Sequence, residues 1–253
     1  MFKFIIALLV VFTTSCESTV QIVNGKKTSI ENYPWTASIN VAWGFRVFAE
    51  FQCGAVIISE RWLISNAHCN IFNILIFYQF VRVGSNYSTW YGEKHDIEKW
   101  VIHPDYVKDT AKNDVALIKL EEDLKYSQQI KPIPMVKENF IVSEGLIIKT
   151  AGFGDIAYDV PNHDVLMEAV FSACEPLYFK KLPNDSLICA IDHLEVETIC
   201  GGDSGSGLII TINKQRLLLG VIYQSNEYCN PAFPLFGVSI PWYRHWIRNN
   251  TGI

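Results

Sequence analysis

What this chain lacks narrows it first. Charge is sparse: Asp, Glu, Lys and Arg make up 19% of 253 residues, and the formal net charge is only -5. No basic stripe is present, which argues against a nucleic-acid surface built from Lys and Arg, and there is no long acidic tail. Beyond the N-terminal segment, no apolar run is long enough to cross a bilayer as a helix, so no membrane partner is expected. Sustained helical periodicity is scarce and appears mainly at the end, in Tyr243–Asn250, behind Pro241. Low-complexity tracts and internal repeats are missing. Among Cys53, Cys69, Cys174, Cys189, Cys200 and Cys229, no two lie two to four residues apart, so zinc-site spacing is absent and neither metal nor cofactor is expected.

What is present points outward from the cell. Lys3 precedes the apolar run Phe4–Phe12, and Thr13–Cys16 are small, the pattern of a secretory signal over residues 1–16 cleaved after Ser15 or Cys16. Removing Cys16 from seven cysteines leaves an even set, which in a secreted chain implies three disulfides among 15 pairings. Asn86-Tyr-Ser, Asn184-Asp-Ser and Asn249-Asn-Thr match the glycosylation triplet. Short apolar segments separated by turn residues read as strands: Thr36–Val41, Gly54–Ile58, Trp62–Ser65, Phe80–Val83, Ala116–Leu120, Leu146–Thr150, Ser206–Thr211 and Arg216–Tyr223. The fold class is all-β, with Lys131-Pro-Ile-Pro134 joining two β-rich halves.

The chemistry concentrates in three places. Gly202-Asp203-Ser204-Gly205 sets a serine on a tight turn, with glycines that let backbone amides approach a carbonyl. Upstream lie Asn66-Ala67-His68-Cys69 and Asn113-Asp114-Val115-Ala116-Leu117. A serine hydroxyl is a weak nucleophile that needs a base, and a base needs an orienting carboxylate. The order His, Asp, Ser is that of the chymotrypsin triad. Ile22-Val23-Asn24-Gly25, Trp62–Cys69, Asn113–Leu120 and Gly152-Phe-Gly154 complete a resemblance to the chymotrypsin-like, trypsin-family serine proteases over residues 22–248.

That resemblance implies two six-stranded antiparallel β-barrels and a C-terminal helix, with the site in the cleft between them. Barrel one would occupy about residues 22–130, barrel two about 131–240 and the helix about 241–250. It implies Ser204 as nucleophile, His68 as base and Asp114 as orienter, with the amides of Gly202 and Ser204 as oxyanion hole. It implies disulfides Cys53–Cys69, Cys174–Cys189 and Cys200–Cys229, and it leaves a fourth family bridge replaced by Ile148 and Ile210. It also implies a zymogen. An activating protease would cut after Gln21, releasing residues 17–21, and the Ile22 ammonium would pair with Asp203. The remaining histidines, His95, His103, His163, His193 and His245, read as surface or structural.

Several residues depart from the family pattern. Gln21 is not a basic cleavage site. Thr198 and Ile199 put no charge at the base of the primary pocket, so Arg or Lys substrates would be left unpaired there. Ser225 and Leu235 replace glycines in its walls, and Tyr223-Gln224-Ser225 replaces Ser-Trp-Gly beside the cleft. The loop after Gly84 begins Ser85-Asn86, without the carboxylate a trypsin-type calcium site needs. Two readings follow. One is a secreted, monomeric serine endopeptidase with a small uncharged pocket, acting on peptides or proteins and open to protein inhibitors. The other is a catalytically inactive paralogue that binds or inhibits.

Overall fold

Alternation of covered and solvent-facing side chains shapes the sheets. In Met167–Cys174 the residues Met167, Ala169, Phe171 and Ala173 are buried and those between them are not, the period of a strand with one face on a core. The computed structural model describes residues 22–43, 48–70, 78–110, 112–155, 157, 164–175, 186–224 and 228–253. The expected signal and pro-segment, Gln21, His163, Asn184 and Ser225 lie outside the described residues.

Strands β2 (Thr36–Trp43), β3 (Phe48–Ile57), β4 (Trp62–Ser65), β5 (Tyr78–Val83), β6 (Glu93–Ile102) and β7 (Ala116–Leu120) close into one barrel, in the order β2-β3-β4-β7-β6-β5. Strands β8 (Ile147–Gly152), β9 (Met167–Cys174), β10 (Leu187–Ile191), β11 (Gly207–Ile212), β12 (Gln215–Gln224) and β13 (Leu235–Ser239) form the second, closed by the β8–β9 pairing. All these pairings are antiparallel, and closure pairs each of these twelve strands on both sides. The first strand, β1 (Lys26–Lys27), pairs not with its own half but with β9 of the second barrel. The connector ties both barrels. Ile133 N–H donates to Ile57 O at 3.0 Å, and Leu218 N–H donates to Pro134 O at 2.9 Å.

Leu117 on β7 is fully buried among Ile64, Val81 and other core residues of the first barrel. Leu117→Ala is expected to cost about 2–5 kcal/mol, the lost transfer energy plus a cavity, read as a shifted denaturant midpoint at unchanged slope. Where the fourth family bridge is replaced, the register that sets Ile209 opposite Lys149 also sets Ile210 opposite Ile148, and both isoleucines are fully buried. Three disulfides are present: Cys53–Cys69, Cys174–Cys189 and Cys200–Cys229. The chain ends in α1 (Ile240–Thr251). Pro241 starts the helix, and Gly252, at φ +78°, stops it with its N–H on Arg248 O at 2.8 Å.

Candidate active site

His68 sits on a single 3₁₀ turn, Ala67–Cys69, directly after β4. Cys69 is wholly buried and bonded to Cys53 of β3, so the turn is stapled to the barrel wall. Asp114 precedes β7 and is 1% exposed. Its Oδ1 accepts the His68 backbone N–H at 2.9 Å, and its Oδ2 lies 2.5 Å from His68 Nδ1. A buried carboxylate is costly without donors, and these two supply them. An ionised carboxylate can only accept, so beside one a neutral imidazole would carry its proton on Nδ1 and present a lone pair at Nε2. Asn66 Nδ2 donates to the Asp114 carbonyl at 2.9 Å. Asn113, at φ +56°, accepts from the Tyr243 hydroxyl at 2.9 Å, so the C-terminal helix holds the residue just before Asp114. Tyr106, Tyr223 and Tyr243 all feel the Asp114 charge. Burial, and then that charge, pushes each phenol above its ordinary range, so all three rings stay neutral.

Ser204 stands in a run of tight turns. Asp203 N–H donates to Cys200 O at 3.2 Å, Ser206 N–H to Asp203 O at 3.0 Å and Gly205 N–H to Ile222 O at 2.8 Å. Gly205 is obligatory twice over. Its φ is +83°, and a Cβ there would lie 2.1 Å from Gly54 O. Among the described residues, the N–H groups of Gly202 and Ser204 donate to nothing. The Ser204 hydroxyl donates to Tyr223 O at 3.4 Å and makes no hydrogen bond to His68 Nε2, which lies 3.7 Å from Cys69 Sγ. Tyr223 is the extra residue of a bulge. Ile222 faces Gly237 and Gln224 faces Phe236, which leaves Tyr223 without a partner in the ladder. Among the described residues its phenol makes no hydrogen bond to the Asp114 carboxylate, whose partners are the His68 N–H and Nδ1.

Asp203 is 1% exposed. Its oxygens accept from Gly154 N–H and Cys200 N–H, each at 3.0 Å, yet burial still pushes its carboxyl up to about 7. No cation pairs with it among the described residues. Gly154 has to be glycine, because a Cβ would come 2.5 Å from both carboxylate oxygens. Ile22 is fully buried, Val23 O accepts Thr198 N–H at 3.3 Å and Asn24 Nδ2 donates to Val196 O at 2.9 Å. Thr198, Ile199 and Leu235 are 2%, 1% and 1% exposed. The backbone of Gln224 ends β12, while its side chain lies outside the description.

The family model described as Trypsin matches residues 22–247. The chain belongs to the trypsin family. Hypodermin-A of Hypoderma lineatum is 30% identical over 243 residues, covering 93% of this chain and 89% of that protein. "Trypsin, alkaline B" of Manduca sexta is 25% identical, covering 91% of each. Tissue-type plasminogen activator of Mus musculus is 28% identical, covering 91% of this chain and 44% of its own length. Trypsin-family proteins are serine endopeptidases as a class, and their substrates are peptides or proteins.

Of the remaining histidines, His95 faces Glu93 at 3.5 Å, and His245 bonds within the last helix. His103 packs against the rings of Tyr243 and Trp246, at 5.4 and 5.1 Å. The sequence reading missed three things: Tyr243 as a support of the Asp114 loop, the bulge at Tyr223, and a cleft of about 710 Å³ running from Ala67 and His68 to the 102–108 loop. Asn113, next to Asp114, offered a signal for the first. The other two had none.

Proposed function

We propose that this protein is a secreted serine endopeptidase in which Ser204, His68 and Asp114 form the catalytic triad. The observation that carries the reading is one constellation: a buried carboxylate on His68 Nδ1, an Nε2 whose contact among the described residues is Cys69 Sγ at 3.7 Å, and a serine flanked by two amides unengaged among the described residues. The Ser204 hydroxyl leaves Tyr223 O, donates to His68 Nε2, and its oxygen attacks the peptide carbonyl carbon as Nε2 takes the proton. Hydrogen bonds at such sites are commonly loose before substrate binds. The new oxyanion accepts from Gly202 N–H and Ser204 N–H. The C–N bond breaks as His68 returns the proton to the leaving amine. Water then repeats the sequence on the acyl-enzyme and frees Ser204. Asp114 holds the tautomer and stabilises the imidazolium throughout.

The primary pocket takes a small aliphatic side chain. Thr198, Ile199 and Leu235, all buried, bring no charge to it, and Leu235 stands where the family pattern has a glycine. Ser225 and Gln224 belong to the same proposed wall. Activation is cleavage after Gln21 by another protease. The segment from Ile22 already lies against Val196 and Thr198, and Asp203 waits buried without a cation. Secretion accords with the three disulfides, which form in oxidising compartments.

The test is covalent labelling by a fluorophosphonate probe, with the N-terminus verified at Ile22. Such a probe needs an activated serine and an oxyanion hole but little of the pocket. Labelling that disappears in Ser204→Ala is the expected result. No labelling of the verified mature chain would sink the endopeptidase and leave the inactive binding paralogue.

A further inference from the structure

The cleft beside His68 carries a charge that its walls do not balance. Ile102, Pro104 and Tyr106 are among the residues that line it, and so is Lys108, which is exposed. No carboxylate lines the cleft among the described residues. Lys108 enters no ion pair there. The nearest acids in the sequence are not walls of the cleft. Asp105 and Asp109 lie outside the lining, and both oxygens of Asp114 are committed to His68. Of the other basic lining groups, His68 has its Nδ1 on Asp114 Oδ2, and His103 accepts the Asp105 N–H on Nδ1 at 3.2 Å, which keeps that nitrogen unprotonated.

The turn that bears Lys108 is pinned at several points. Tyr106 N–H donates to His103 O and Val107 N–H to Lys112 O, each at 3.0 Å. Asn113 Nδ2 donates to Asp105 O at 2.9 Å, and His103 is packed on Tyr243 and Trp246. The ammonium is flexible at its tip, but its base is set by the scaffold. The proposed primary pocket, by contrast, brings no charged side chain: its described members Thr198, Ile199 and Leu235 are buried and uncharged, and Gln224 and Ser225 are uncharged residues.

We propose that Lys108 makes this site select peptides with an aspartate or glutamate near the scissile bond, seated in the cleft beside His68. The methylenes of that acidic residue lie over Ile102, Pro104 and Tyr106 while its carboxylate meets the ammonium. This rests on the protease reading above.

The experiment uses the mature chain from Ile22 and peptides differing only by Asp/Asn or Glu/Gln at each of several positions on both sides of the cleaved bond. At one position the acid should raise kcat/KM about two- to fivefold, the range for a partly exposed ion pair. The gain should appear in KM, because the contact is equal in ground and transition states, and should shrink in high salt. Lys108→Gln should abolish the ratio and Lys108→Glu should invert it. The same ratio should appear as a difference in Kd when Ser204→Ala protein binds the labelled acidic and amide peptides. A ratio of one at every position, or an acid preference surviving in both Lys108 variants, overturns the proposal. Cleavage without acid preference removes this inference alone. Binding with a Lys108-dependent acid preference but no cleavage of any peptide by the mature chain removes the protease reading and keeps Lys108 as a charge-reading site.

Discussion

Replacing Asp114 with asparagine should lower peptide turnover by about 10⁴-fold, the loss found in enzymes built on this triad, while the protein still folds. The geometry explains the size of the effect. Asp114 accepts from both the His68 backbone N–H and Nδ1, and only an acceptor at Nδ1 fixes the ring proton there. An amide at that place offers an N–H to Nδ1. The ring proton then moves to Nε2, and Ser204 faces a donor instead of a base. The imidazolium that forms during attack also loses its counter-charge. The variant should melt within a few degrees of the parent, because the amide keeps the shape and part of the bonding. The check is kcat on a cleaved peptide, with a thermal melt alongside. A loss under tenfold would show that Asp114 does not set the histidine's proton.

The intact chain should lose stability as pH rises from about 4 to about 7, and the chain cut after Gln21 should not. Asp203 is raised from 3.8 to about 7 by burial, and the charge that acts on it among the described residues, Asp155, is of like sign and raises it further. Between those values the native carboxyl keeps a proton that the unfolded chain releases, so stability falls with rising pH. At about 1.4 kcal/mol per unit, the loss across the window is on the order of 4 kcal/mol. Below 3.8 both states are protonated and above 7 both are ionised, so the contribution is flat outside the window. Cleavage turns the Ile22 amide into an ammonium, which favours the carboxylate and draws its pKa down. Other carboxylates titrate in both forms, so the informative quantity is the difference in unfolding free energy between intact and cut protein at pH 4.5 and pH 8. Equal pH slopes in the two forms would remove Asp203 from the activation switch.

The segments legible in the sequence are those where chemistry is contiguous. Trp62–Cys69 carries a strand, a turn and a half-cystine in one stretch, and Cys200–Gly207 carries the serine turn with its glycines. Strands such as Ala116–Leu120, buried at nearly every position, announce themselves as apolar runs. Strand β6, Glu93–Ile102, does not. It opens Glu-Lys-His-Asp and exists because closing the first barrel requires a strand between β5 and β7. The bulge at Tyr223 is equally silent, since it is a mismatch of counting between β12 and β13. Tyr243 reaches Asn113 across 130 residues, and no local pattern encodes such a contact. The first barrel also takes less of the chain's start than the sequence division at residue 22 suggests, because Lys26 and Lys27 extend the other sheet.

That last pairing has a consequence during synthesis. Lys26 finds its partner only at Glu168, roughly 140 residues later. At the ~5–20 residues per second of translation, the leading segment waits on the order of ten seconds for the strand it must join. The first barrel can close meanwhile, since its strands all lie between Thr36 and Leu120. The stretch from Ile22 to Lys27 then hangs from a finished barrel, available to any processing enzyme it meets, until the ribosome delivers β9.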